Sequence, residues 1–237
     1  PAQWVARLAH PNSWWRETAQ RLLVERSDAA LDSAIKDVAL KGPTPLGRVQ
    51  ALWTLDGTGG LDRKTVVAAL TDEAPVVRAT AIRLSERFFN DAANRADLVA
   101  RLLPLTADAA SEVQLQAVLT LGEHRDPATD RVLAETVRTH PKNTFLRDAL
   151  FSGLADREWP LLEALAADAA WRTDDPVANG ILSGLANGIF AARQTATIER
   201  LIALAAAQPP ASARTKALLD GMVAGANGSR RPLQFPA

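Results

Sequence analysis

Residues able to face a core recur along the chain at three- and four-residue spacing, as in Val132, Leu133, Thr136 and Val137. Almost no segment alternates apolar and polar positions as a half-buried strand would. The spacing predicts amphipathic helices over residues 31–39, 62–70, 96–105, 127–139, 158–167 and 195–207. Between them a second pattern recurs: a polar or proline-containing turn, then a helix with a small residue and aliphatics three to five positions later. Its copies start at His10-Pro11, Thr44-Pro45, Ala74-Pro75, Ser111, His140-Pro141, Asp175-Pro176 and Pro209-Pro210. Aligning Ala19, Ala51, Ala81, Ala117, Ala149, Gly180 and Ala217 gives a period of about 30–37 residues, the size of a two-helix repeat. The helix signals agree: Asp126-Pro127 and Asp175-Pro176 each set a capping carboxylate before a first-turn proline, and Ser111 with Gln114 has capping-box spacing.

One helix pair cannot bury its apolar face alone, whereas stacked copies can. The expected fold is therefore all-α, a right-handed α-α superhelix of about six to seven helix pairs, forming one domain over residues 1–225 without an internal boundary. Gly, Asn, Ser, Arg and Pro crowd the C-terminal stretch, so residues 226–237 are expected to be an extended linker or tail.

Composition narrows the chemistry. At 237 residues and 47% hydrophobic, the chain is long and apolar enough to bury a sizeable core. Lys plus Arg and Asp plus Glu are both 27, so no overall charge draws it to nucleic acid or anionic membrane. The absence of cysteine excludes disulfides, thiolate nucleophiles and thiolate metal sites within the chain, and three histidines with no tyrosine leave few general acids. Charged residues interrupt every aliphatic stretch before it reaches membrane-spanning length, so no membrane insertion is expected. The chain opens on proline without a leader-like apolar segment, which suggests a piece excised from a longer protein.

Leu70, Asp72, Pro75, Val77, Arg78, Ala81 and Leu84 resemble the turn and second-helix consensus of the HEAT repeat family. Leu105, Asp108, Val113, Gln114, Ala117 and Leu121 repeat it with glutamine in the arginine place. The resemblance covers nearly the whole chain and describes architecture rather than activity. It implies that turn Asp and helix Arg form a ladder between neighbouring repeats, so that Asp72 and Arg78 are structural; Gln114 and Val177 interrupt that ladder. A narrower resemblance rests on residues 8–26, with His10-Pro11-Asn12-Ser13-Trp14-Trp15-Arg16-Glu17 at its centre. This stretch is similar to the opening of the HEAT segment in large membrane-bound dehydrogenases that also carry a propeller and a haem-binding cytochrome c domain. That likeness implies a module spacing or docking redox domains in a periplasmic or otherwise extracytoplasmic protein. The family's catalytic and haem residues lie outside such a segment.

Trp14 and Trp15 point about 100 degrees apart on a helix, so one narrow stripe cannot bury both. Trp15 shares a face with Ala19, Leu22 and Leu23 and is assigned to the core. Trp14 is the candidate interface anchor, against the alternative of packing on the first helix near Trp4. Arg16, Arg48, Arg78, Arg147 and Arg214 recur near one place in the second helices, which in a HEAT solenoid lines the concave face. They are candidates for an acidic or phosphorylated partner, or else are spent on turn carboxylates. His10, His124 and His140 read as turn residues, Asp168, Asp174 and Asp175 as caps rather than calcium ligands, and Gly57-Thr58-Gly59-Gly60 as an inter-helix turn. No catalytic, cofactor-binding or metal-binding residue is assigned. The expected function is a non-catalytic scaffold contacting a protein or neighbouring domains of the same polypeptide. The alternative is an enzyme of the HEAT-like alkylpurine DNA glycosylase type, suggested by the helical length and paired tryptophans and disfavoured by the zero net charge.

Overall fold

The computed structural model describes residues 2–172 and 174–228. Among them the chain is all-helical, with fourteen α-helices and no strand. The first eight are α1 (Ala2–Arg7), α2 (Ser13–Arg26), α3 (Asp32–Lys41), α4 (Pro45–Thr58), α5 (Arg63–Ala69), α6 (Pro75–Ser85), α7 (Ala92–Leu102) and α8 (Ser111–Gly122). The remaining six are α9 (Pro127–Thr139), α10 (Phe145–Leu154), α11 (Glu158–Ala167), α12 (Pro176–Ala191), α13 (Thr195–Ala206) and α14 (Ala213–Gly228). Contacts divide the chain into two compact units between Thr120 and Leu121, within the last turn of α8.

In the first unit α1, α3 and α5 touch in succession, as do α2, α4 and α6, while α1–α2, α3–α4 and α5–α6 close the pairs. Helices this short are marginal alone, so their stability comes from these packed faces. Ala19, Ala51 and Ala81 are fully buried at matching places on α2, α4 and α6, where a small side chain lets neighbouring backbones approach. The starts follow from local chemistry: Thr44 Oγ1 accepts from the Gly47 amide at 3.1 Å with Pro45 next in line, and Asp62 Oδ1 accepts from Thr65 at 2.7 Å. Gly59 ends α4 at φ 80°, the one place in the Gly57–Gly60 stretch that needs a left-handed residue. The helix expected from residue 96 begins at Ala92, because Asp91 Oδ1 accepts from the Asn94 amide at 2.7 Å and caps it earlier.

In the second unit α12 is central, touching α9, α10, α11, α13 and α14. Its buried face carries Ala178, Ile181, Leu182, Leu185, Ala186 and Ile189. Asp126 and Asp175 cap α9 and α12 as their Asp-Pro sequences predict, accepting from Thr129 at 2.8 Å and Val177 at 2.9 Å. Gly180, aligned by sequence with the buried alanines, is off that face: a Cβ there would have no neighbour within 4 Å. The close packing falls instead on α14. A Cβ on Gly221 would land on the Ser183 carbonyl oxygen, and one on Gly225 would lie 2.6 Å from the Asn187 carbonyl oxygen. Residues 226–228, placed by composition in the tail, are the last turn of α14; the glycines that let α14 lie against α12, Gly221 and Gly225, precede them. The rest of the expected tail, 229–237, lies outside the described residues.

These two kinds of helical glycine should respond oppositely to alanine. Gly180→Ala gains helix propensity at no steric cost and should stabilise the protein by about 0.5–1 kcal/mol. Gly221→Ala meets backbone that cannot yield and should destabilise it by about 1–3 kcal/mol. Denaturant unfolding of both variants checks the contrast.

Candidate functional site

The recurring arginines are positioned by the turns that precede their helices. Arg16 Nη1 donates to the His10 carbonyl at 2.8 Å, Arg48 Nη1 to the Gly42 carbonyl at 2.9 Å and Arg78 Nη1 to the Asp72 carbonyl at 2.7 Å. Each carbonyl lies six residues before its donor. Gln114 Nε2 does the same to the Asp108 carbonyl at 2.7 Å, so the glutamine copy keeps the turn tie. In the same turns a side-chain acceptor holds a backbone amide: Asn12 takes that of Trp14, Asp72 that of Ala74 and Asp108 that of Ala110.

The other guanidinium nitrogens reach the next turn along. Arg48 is 6% exposed and grips Asp72 through Nε at 2.8 Å and Nη2 at 2.9 Å. Arg78 grips Asp108 through Nε at 2.9 Å and Nη2 at 2.8 Å. Arg78 has the two-pronged hydrogen-bond geometry that makes arginine–carboxylate contacts strong, whereas Arg48 bonds Asp72 through Nη2 alone with Nε at ion-pair distance. These bonds from Arg78 hold the Asp108 carboxyl below its ordinary 3.8; burial opposes them, and the Ala110 amide and the Arg78 charge add to them. The ladder ends at Gln114, whose amide carries no charge to extend it. Arg48 and Arg78 are thus committed within the first unit.

Trp14 is 60% exposed, so most of its surface lies in solvent. Trp15 is half-buried, less than its core assignment supposed. The Arg7 guanidinium lies 5.1 Å from the Trp15 ring centroid, the His10 ring lies 6.0 Å from it, and Trp14 meets it edge-on at 4.8 Å. Trp14 is also the first of a series missed by sequence reading. Leu46, 54% exposed, and Val76, 39% exposed, occupy the same place on α4 and α6, two residues before the arginine. The signal was present: the arginine turns back to the preceding loop, so the residue two before it points elsewhere on the helix.

In the second unit the arginine series breaks up. Arg147 is largely exposed, its nearest carboxylate Asp148 at 3.9 Å, and it borders a cavity of about 280 Å³ with His140, Val177 and Gly180. Arg214 is 8% exposed and borders a separate cavity of about 480 Å³ together with Arg172, which sequence reading did not single out. Here Thr215 Oγ1 makes the tie to the carbonyl six residues back, at Pro209 and 2.8 Å, leaving Arg214 without that role.

The remaining candidates have local roles. His10 Nδ1 accepts from the Asn12 amide at 3.0 Å, and His140 Nδ1 lies 3.0 Å from the Thr136 carbonyl oxygen. Asp168 Oδ1 accepts from the Ala170 amide at 2.9 Å and its Oδ2 from Arg131 at 3.0 Å. Among the described residues no group of three or more His, Asp or Glu could hold a metal ion, and no helix is long and apolar enough to cross a membrane. Scanned against known proteins, the chain matches no family model and no curated protein.

The buried ladder predicts a graded response to arginine truncation. Arg48→Met strands the Asp72 carboxylate and should cost about 3–5 kcal/mol, whereas Arg16→Met loses only bonds to turn carbonyls and should cost about 1 kcal/mol. Urea unfolding of the two variants measures the difference. Because folding lowers the Asp108 pKa, its stabilisation is complete above the unfolded value of 3.8 and fades as pH falls through the folded value. Stability curves of the parent and Asp108→Asn should therefore be separated at pH about 6 and converge toward pH about 2.

Proposed function

We propose that the chain is a non-catalytic scaffold of the HEAT type, its stacked helix pairs wound as a right-handed α-α superhelix. Its role is to hold another protein or a neighbouring domain of its own polypeptide by presenting a long surface. The observation that carries this reading is the row Trp14, Leu46 and Val76. Three large apolar side chains stay in solvent at one repeat position on α2, α4 and α6, helices that touch in sequence. Scattered apolar exposure needs no explanation, but exposure repeated in register on adjoining helices, led by a tryptophan, fits a binding face. On these helices the arginines expected to serve that face, Arg16, Arg48 and Arg78, are taken up by turns and carboxylates, so recognition would rest on apolar contact. The likeness of residues 8–26 to the HEAT segment of membrane-bound dehydrogenases supports a parent of that kind, in which the partner is a redox domain and the location extracytoplasmic. DNA binding of the glycosylase type is poorly served here, since Arg48 and Arg78 are neutralised by Asp72 and Asp108.

A photo-crosslinking residue placed at Trp14, Leu46 or Val76 in the native protein should give a crosslink to one recurrent partner segment, identified by mass spectrometry. Exposed Lys64 on α5 serves as the control position. Equal yields at Lys64, or no crosslink at any of the three sites, would overturn the reading. The triple alanine variant should abolish capture while remaining folded, at a cost of about 1–3 kcal/mol, because all three side chains are more than a third exposed and lose only their partly covered surface.

A further inference from the structure

A buried arginine without a partner demands an account. Arg214 sits in the first turn of α14, 8% exposed, and its Nη2 is buried with no hydrogen-bond partner. Among the described residues no carboxylate lies within 4.0 Å of it. A guanidinium cannot shed its charge to ease burial, so it needs a counter-charge. Its nearest charged influence is another cation: burial first, and the Arg172 charge second, push the Arg214 pKa down. Arg172 commits one nitrogen to the Ala167 carbonyl at 3.3 Å and borders the same cavity of about 480 Å³.

The rest of the wall is consistent with an anion. Ser212, immediately before α14, lies on it, so the positive end of a sixteen-residue helix faces the same space. The Ser212 hydroxyl accepts from the Thr215 amide at 3.1 Å and lies 2.9 Å from the Thr215 hydroxyl. Gln208 gives its amide to the Leu204 carbonyl at 3.1 Å. Asp174 is the one acidic residue on the wall, and among the described residues it makes no ion pair with either arginine.

We infer that this cavity is a binding site for the phosphoryl group of a small ligand, held between Arg214, Arg172 and the start of α14. Two guanidinium forks and a helix N-terminus match the several acceptor oxygens of a phosphoryl group. The cavity is within the range of small-molecule pockets and larger than the phosphoryl group alone needs, so the ligand has a body beyond it. The site stands independently of the scaffold reading, on different helices and different residues.

The probe is inorganic phosphate, titrated calorimetrically into the full protein against chloride at matched ionic strength. Saturable binding is expected, weakened about tenfold or more by Arg214→Met and by Arg172→Met, each removing charge-assisted hydrogen bonds. Exposed Arg147→Met should leave it unchanged. Arg214→Met removes an uncompensated buried charge, so without phosphate the variant should melt no lower than the parent, and phosphate should raise the parent's Tm alone. Four results would each overturn the assignment. They are no binding beyond the chloride background, equal loss in Arg147→Met, binding of malonate in place of phosphate, and an Arg214→Met variant that melts lower without phosphate, which would mark the arginine as a structural partner of Asp174.

Discussion

The first unit is organised by the need to satisfy the turn before each second helix. Reversing the chain between two short helices leaves carbonyls that no helical amide can reach, and burial makes an unpaired one costly. A side chain one turn into the following helix solves this by donating back six residues, as Arg16, Arg48, Arg78 and Gln114 all do. Arginine does more than glutamine because its remaining donors form a second fork. That fork takes the carboxylate of the next turn, Asp72 or Asp108, which itself holds a backbone amide of that turn. One residue type thus fixes a turn, and its pairing sets the register between successive helix pairs. Replacing it with an apolar side chain would leave both a carbonyl and a carboxylate unmet.

Much of this architecture was legible in the sequence because periodicity and capping are local. The bounds of α9 and α11 coincide with the segments expected from spacing, and the caps at Asp126 and Asp175 are those the Asp-Pro pairs announce. What was not legible depends on side chains that meet from distant parts of the chain. Gly180 and Gly221 look alike as helical glycines; only the position of the Ser183 carbonyl makes one permissive and the other obligatory. The glycine-rich composition near residue 225 reads as linker because nothing local shows α12 lying against it. Trp15 was placed in the core from its own helix face, but the side chains closing over it, Arg7 and His10, come from the preceding helix and turn and leave it half-buried.

The arginine row shows the same divide at the candidate site. In sequence its members are equivalent, aligned by spacing alone. In space they separate into Arg48, buried, and Arg78, half-buried, both neutralised; Arg147, solvated; and Arg214, buried without a counter-charge. Shared spacing identifies a shared backbone position, and the partner then decides what the charge does. Where a carboxylate lies opposite, the arginine is structural, and the proposed partner face rests on the apolar residues two places before it.

Arg214 departs from the rule that organises the first unit, and the departure has a local cause. In its turn the threonine hydroxyl at position 215 reaches the Pro209 carbonyl, five residues before Arg214, so a turn carbonyl is held without a guanidinium. Arginine at 214 is then unnecessary for the turn and, lacking a carboxylate, costly to bury. A hydrophobic side chain would close the same space at less cost. Retaining a permanently charged fork beside a second arginine and a helix start is an arrangement whose electrostatic cost falls only when an anion enters. Within the aligned series one residue type is therefore used in opposite ways: Arg48 and Arg78 spend their charge in making the fold, whereas Arg214 keeps a charge that no carboxylate meets, the feature from which the anion site is inferred.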